Sequence, residues 1–151
     1  MSERLTGVPT AISPDEKAAA SMGDAAINFL DKGDGHSLLF LHGLGADLRV
    51  WRNQTASFVD EYRCIAPDMR GAGASIGPPQ QYDLAAFADD TAELCTRLGV
   101  VHAHVVGQSL GGIVGQQLAF RYPAMVDTLT LVGTSGRAVP PAERPLGPSR
   151  W

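Results

Sequence analysis

A chain of 151 residues, 44% hydrophobic and 19% charged, is long enough for one packed core and has the balance of an ordinary globular domain. Its formal net charge of −4, without any cluster of Lys or Arg, argues against a nucleic-acid or anionic-membrane partner, and no apolar run reaches the length of a membrane span. The first seventeen residues are polar and broken by Pro9 and Pro14, which is not the pattern of a secretory signal, so the expected compartment is the cytoplasm.

In chain order, residues 1–16 read as a loose leader. Residues 17–22 and 25–31 read as two short strands about a Gly23-Asp24 turn, and residues 32–35 as a loop. Residues 37–42 contain the continuous run Leu38, Leu39, Phe40, Leu41, the pattern of a strand covered on both faces. Trp51, Thr55, Phe58, Val59 and Tyr62 recur at helical spacing, and residues 63–67 form a further strand. Asp83 is placed to cap a helix that carries Leu84, Phe87, Thr91, Leu94 and Leu98 on one side and ends at Gly99. Residues 103–107 read as another buried strand. Leu110, Ile113, Val114 and Leu118 mark a helix closed by Pro123, and residues 128–133 a last strand. Strands alternating with helices over short loops predict an α/β class, a mostly parallel sheet with helices on both faces, occupying residues 17–136. The tail, residues 137–151, holds Pro140, Pro141, Pro145 and Pro148 among Arg137, Arg144 and Arg150, and is expected to be irregular.

Cys64 lies in a strand-like run and Cys95 on a helix-like segment, which reads as two buried thiols rather than a disulfide or a metal pair. His36, His42, His102 and His104 show no zinc-ligand spacing along the chain with cysteine or carboxylate, so no metal and no cofactor are expected.

The motif with chemical content is Gly107-Gln108-Ser109-Leu110-Gly111, which fits G-x-S-x-G and falls between a buried strand and a helix. A sharp strand-to-helix turn strains the serine backbone and crowds the positions two before and two after it. Glycine at 107 and 111 removes the side chains that would clash there. The serine hydroxyl then projects at the carboxyl edge of the sheet, above the positive end of a helix, and the Leu110 amide points toward a developing oxyanion. An oxyanion hole needs a second converging N–H. The loop His42-Gly43-Leu44-Gly45 after the first strong strand is its natural source, with the Leu44 amide the first choice and Gly43 the neighbouring one. His42 itself, a loop histidine before glycine, reads as structural rather than as a general base. Asp68-Met69-Arg70-Gly71-Ala72-Gly73-Ala74-Ser75 lacks the Lys-Ser/Thr of a phosphate loop and is not followed directly by a helix. It reads as a structural turn in which Asp68 and Arg70 are tied to backbone groups.

The order of strand, His-Gly loop, D-x-R-G-x-G-x-S, GQSLGG and then Arg121-Tyr122-Pro123 resembles the α/β-hydrolase superfamily over residues 20 to 135. The segments LHGLGADLRVW and DMRGAGAS look closest to its small-molecule members, such as enol-lactone hydrolases, esterases and haloperoxidase-like enzymes. A serine at the nucleophile position argues against the haloalkane dehalogenases, which the resemblance associates with aspartate there. The resemblance implies hydrolysis of a small ester or lactone, with Ser109 as nucleophile, the Leu44 and Leu110 amides as oxyanion hole, His42, Gly43 and Gln108 around the pocket, and Asp68, Arg70, Gly107 and Gly111 as structural motif residues. It also implies that an acid and then a histidine follow the serine. After Ser109 come only Asp127 and Glu143 as acids, and no histidine. Asp127 opens the last strand at the end opposite the active edge, and the histidines before Ser109 are badly placed to turn back to it. The expectation is therefore the amino-terminal part of such a fold, from a truncated or frame-disrupted product, inactive alone and prone to self-association through an unfinished sheet edge. The alternative is a non-catalytic or partner-dependent protein that binds a small ligand in the same pocket.

Overall fold

The computed structural model describes residues 18–22, 25–78 and 83–136. The expected leader, the Gly23-Asp24 turn and the Pro/Arg-rich tail with Glu143 lie outside the described residues. In chain order the elements are β1 (Ala18–Met22), β2 (Ala25–Lys32), β3 (His36–Leu41), a 3-10 turn (Leu48–Trp51) leading into α1 (Arg52–Phe58), β4 (Tyr62–Pro67), α2 (Leu84–Arg97), β5 (Ala103–Gln108), α3 (Leu110–Arg121), a 3-10 turn (Pro123–Met125) and β6 (Val126–Val132).

The six strands form one sheet in the order β1-β2-β4-β3-β5-β6. β1 with β2 and β2 with β4 are antiparallel, whereas β4, β3, β5 and β6 run parallel. Strands buried on both faces have no polar side to show, which is why Leu38 to Leu41 form an unbroken apolar run. Alternate residues feed two cores. Leu39, Leu41, Ile65 and Val105 pack with Ala88, Ala92 and Cys95 of α2 and with Val114 and Leu118 of α3. Leu38, Phe40, Cys64 and Ala66 face the other way, onto Leu48 and Trp51, with the Phe40 and Trp51 rings 5.1 Å apart. Each fully buried Leu or Ile contributes about 1.5–3 kcal/mol relative to exposure, so the two layers together hold the parallel strands between α2 and α3 on one face and the Leu48–Trp51 turn on the other. Both cysteines are buried free thiols, and burial pushes Cys95 up to about 12.

Helix boundaries follow local chemistry. The Asp83 carboxylate accepts the Ala86 amide at 2.7 Å and caps α2, while Gly99 at φ +71° turns the chain out of it. Tyr62 departs from the expected helical stripe. A Glu61 N–H to Phe58 C=O bond closes the turn after α1, and Tyr62 opens β4 opposite His36. Spacing alone let it pass for one more turn of helix. β6 pairs with β5 along one side, and among the described residues no strand lies along the other; near the end of β6, Leu131 and Val132 are 43% and 44% exposed. No helix among the described residues is long and apolar enough to cross a membrane.

Candidate active site

Ser109 is the residue between β5 and α3, at φ 49° and ψ −115°. Among the described residues it alone has positive φ without being glycine. Such a conformation costs on the order of 1–3 kcal/mol and persists only where the surroundings hold it. Four hydrogen bonds do so. The Ser109 N–H donates to the Val132 carbonyl at 2.9 Å. Its carbonyl accepts from the Gly112 and Ile113 amides at 3.0 and 3.2 Å and from the Thr134 hydroxyl at 2.7 Å. The end of β6 therefore braces the turn, a role for Thr134 that no local signal announced.

The flanking glycines are required by close approach. A Cβ on Gly107 would sit 2.4 Å from the Gly111 carbonyl oxygen, and one on Gly111 would sit 2.0 Å from that of Leu41. Both contacts are with backbone, which cannot rotate away. The crowding also joins β3 to the start of α3 and so brings the loop after β3 beside the serine: a Cβ on Gly43 would lie 3.5 Å from Ser109 Cβ. In that loop the Ala46 N–H donates to the Gly43 carbonyl at 3.2 Å, with Gly45 at φ +74°, a turn that leaves Leu44 at its tip. Leu44 is 85% exposed. Among the described residues neither the Leu44 nor the Leu110 amide has a hydrogen-bond partner, and the Ser109 hydroxyl has none. Gln108 is exposed at the end of β5.

His42 is buried and fully engaged. The Met69 N–H donates to its Nε2 at 3.0 Å, so Nε2 carries no proton, and Nδ1–H donates to the Gly43 carbonyl at 2.8 Å. The ring fastens the loop after β3 to the loop after β4 and has no nitrogen left for Ser109.

The loop after β4 is organised by Asp68, 2% exposed. Its Oδ1 accepts the Leu48 amide at 2.7 Å, and its Oδ2 accepts the Ala74 amide at 2.9 Å and the Asn28 side-chain amide at 2.7 Å. Gly73, at φ +54°, makes room for that carboxylate. The Ser75 hydroxyl donates to the Asp68 carbonyl at 2.7 Å and accepts the Asn28 N–H at 2.8 Å. Arg70, expected to be tied to backbone groups, has a side-chain partner: its Nε and Nη2 donate to the two oxygens of Asp90 on α2, both at 2.7 Å. Nothing in the spacing of Arg70 and Asp90 signals that pairing. Two clefts, one over Arg70 and Asp90 and the other over Asn28 and Asp68, do not include Ser109 in their walls.

The remaining histidines sit at the other end of the sheet. At about 3.3 Å per strand residue, His104 begins about 16 Å and His102 about 23 Å from Ser109. His36, at the start of β3, and Asp127, at the start of β6, share that far edge. Among the described residues, then, neither a base nor a triad acid reaches the serine. His102 and His36 instead meet on Asp127, and their hydrogen bonds, that of His102 the stronger influence, hold its carboxyl below the usual range. This meeting is invisible in linear spacing, because strand register creates it.

A family model described as alpha/beta hydrolase fold matches residues 36–148. The chain is 34% identical over 122 residues to a fluoroacetate dehalogenase from a Burkholderia species, a match covering 78% of this chain and 40% of that protein. It is also 34% identical over 116 residues to 3-oxoadipate enol-lactonase 2 of Acinetobacter baylyi, covering 76% of this chain and 43% of that one. Among solved structures, a hydrolase from Pseudomonas aeruginosa superposes with a TM-score of 0.77 at 34% identity, covering 86% of this chain and 50% of that one. The chain thus spans half or less of the length of these relatives.

Proposed function

The chain belongs to the α/β-hydrolase fold family, and from that premise we propose that it carries the nucleophile and oxyanion-hole part of a serine hydrolase for a small ester or lactone. The observation that carries this reading is the strained Ser109 between β5 and α3, its hydroxyl without a partner among the described residues and the loop of Gly43 and Leu44 alongside. In the proposed chemistry, Ser109 Oγ adds to the carbonyl carbon, and the Leu110 amide at the positive end of α3 and the Leu44 amide stabilise the negative oxygen that results. Two unpartnered donors, one in the loop after β3 and one in the first turn of α3, support that assignment. A serine that attacks a carbonyl must lose its proton to a base. The described residues hold none within reach, so the proposed activity of this 151-residue chain by itself is weak. The enol-lactonase among its relatives supports a lactone or ester as the substrate class.

The same missing base favours a second reading, in which the site binds a small carbonyl compound without turning it over, or acts only with a partner.

Hydrolysis of p-nitrophenyl acetate tests the proposal. The chain alone is expected to show at most about the 10³–10⁴-fold acceleration over water that survives loss of a triad member, little changed by Ser109→Ala. Exogenous imidazole, as a base supplied from solution, is expected to raise the wild-type rate above that of Ser109→Ala. Equal imidazole response in both proteins overturns the nucleophile assignment and leaves the binding reading. Robust turnover without imidazole, abolished by Ser109→Ala, upholds the nucleophile and refutes the missing base.

A further inference from the structure

We propose that His36, His102 and Asp127 form a binding site for one divalent transition-metal ion of the zinc class, at the sheet edge opposite Ser109. Three neighbouring parallel strands deliver the three side chains: His36 opens β3, His102 immediately precedes β5 and Asp127 lies at the start of β6. One ligand atom from each, a ring nitrogen of either histidine and an Asp127 oxygen, lies within 4.8 Å of the other two. Both imidazoles converge on the same oxygen, Asp127 Oδ2, at 2.8 and 2.7 Å.

The convergence has a structural cause. Ala103 pairs with Val126 and His104 with Thr128, so the register slips by one residue and Asp127 is the extra one. A bulge of this kind breaks the strict alternation of side chains and re-aims the residue it contains. Thr128 already meets His104 across this pair, its Oγ1 2.8 Å from Nδ1. The bulge swings Asp127 toward the same histidines instead of to the opposite face. The His104 ring lies 4.8 Å from that of His36 and backs it.

The donor set is chemically selective. Two imidazole nitrogens and one carboxylate oxygen suit zinc, nickel or copper, whereas calcium and magnesium prefer oxygen alone. Ligand atoms bound at about 2.0–2.1 Å to a tetrahedral ion stand about 3.3 Å apart. The two hydrogen-bonded spacings must therefore open by roughly half an ångström, and the two ligating nitrogens, within 4.8 Å of each other, must draw together toward that separation, a rearrangement open to partly exposed side chains at strand ends. On binding, the two ring protons now directed at Oδ2 move away: His36 ligates through Nε2 with its proton on Nδ1, and His102 through Nδ1 with its proton on Nε2. Three metal–ligand bonds form, the two hydrogen bonds to Oδ2 break, and the aquo ion releases to solvent the waters that the three protein ligands replace. With three protein ligands, the ion keeps a position for water or an external anion. At a distance of some seven strand residues from Ser109, the ion staples β3, β5 and β6 together rather than taking part in the chemistry proposed there.

The test uses the 151-residue chain, prepared without a polyhistidine tag and stripped with chelator. Zinc titrated by calorimetry is expected to bind one ion per chain, and Co2+ to give the visible absorption of a low-symmetry N/O site. His102→Gln and Asp127→Asn are each expected to weaken zinc binding at least about tenfold, as loss of even an indirect partner of a metal ligand does. Glu93→Gln, which removes an exposed carboxylate elsewhere, leaves it unchanged. Zinc should also raise Tm in the wild type and not in the two site variants. Substoichiometric binding, or zinc affinity that survives both His102→Gln and Asp127→Asn in chains whose circular dichroism is unaltered, overturns the proposal.

Discussion

Replacing Ser109 by glycine tests whether the turn before α3 stores strain. The residue sits at φ 49° and ψ −115°, a region open to glycine and costly for any residue with a Cβ. Relief of that strain is worth about 1–3 kcal/mol, against which the extra freedom of glycine in the unfolded chain costs about 0.5–1 kcal/mol. The net expectation for Ser109→Gly is a stabilisation of about 1 kcal/mol, and for a chain of this size a Tm higher by roughly 2–4 °C. Ser109→Ala is the control. It keeps Cβ and therefore the strain, and the hydroxyl it removes has no partner among the described residues, so its stability should lie within about 0.5 kcal/mol of the wild type. Urea unfolding of the three proteins, with equal slopes against denaturant, measures both differences. If Ser109→Gly is no more stable than Ser109→Ala, the backbone there is not strained and the argument that this turn presents a pre-organised nucleophile fails.

Asp68→Ala leaves three donors without their carboxylate: the buried Leu48 amide and the partly buried Ala74 amide and Asn28 side chain. The expected loss is about 3–5 kcal/mol by urea unfolding, and a loss under 1 kcal/mol would mean that the loop does not depend on this hub. The Arg49 side chain and then its backbone N–H hold the Asp47 carboxyl down to about 2, below the usual carboxylate value. A carboxyl NMR titration should find that midpoint, and Arg49→Gln should return it toward the usual range. Because the folded value is the lower one, any stability it brings is present above about pH 4 and is lost as pH falls through about 2. The unpaired edge of β6 among the described residues, with the exposed apolar residues Leu131 and Val132 on that strand, leads to the expectation that the 151-residue polypeptide self-associates. A monodisperse monomer by light scattering during size-exclusion chromatography at several concentrations, with a cooperative, high-temperature melt by circular dichroism, would contradict this.

Short-range chemistry was readable directly. The apolar run from Leu38 to Leu41, the Asp83 cap, Gly99 and the strand–serine–helix grammar of residues 103–121 each depend on neighbours a few positions away. They determined the α/β class, the order of the strands along the chain and the position of Ser109. Tyr62 shows where that reading stops, since helical spacing across a turn and the first residue of a strand look alike until β4 finds its partner. Other features were settled only when distant segments met. Arg70 and Asp90 are twenty residues apart and their pairing depends on how α2 lies against the sheet. Thr134 reaches the Ser109 carbonyl across twenty-five residues because β6 runs beside β5. Asp127 meets His36 across ninety-one because parallel register places the starts of β3, β5 and β6 side by side and a one-residue bulge turns the carboxylate toward the histidines. Sequence by itself determined the type and order of the elements and which turn carries the serine, though not every boundary, because backbone preference and hydrophobic period act locally. Tertiary structure decided which side chains share a site, because strand register and helix packing are properties of segments that adjoin only after the chain has folded.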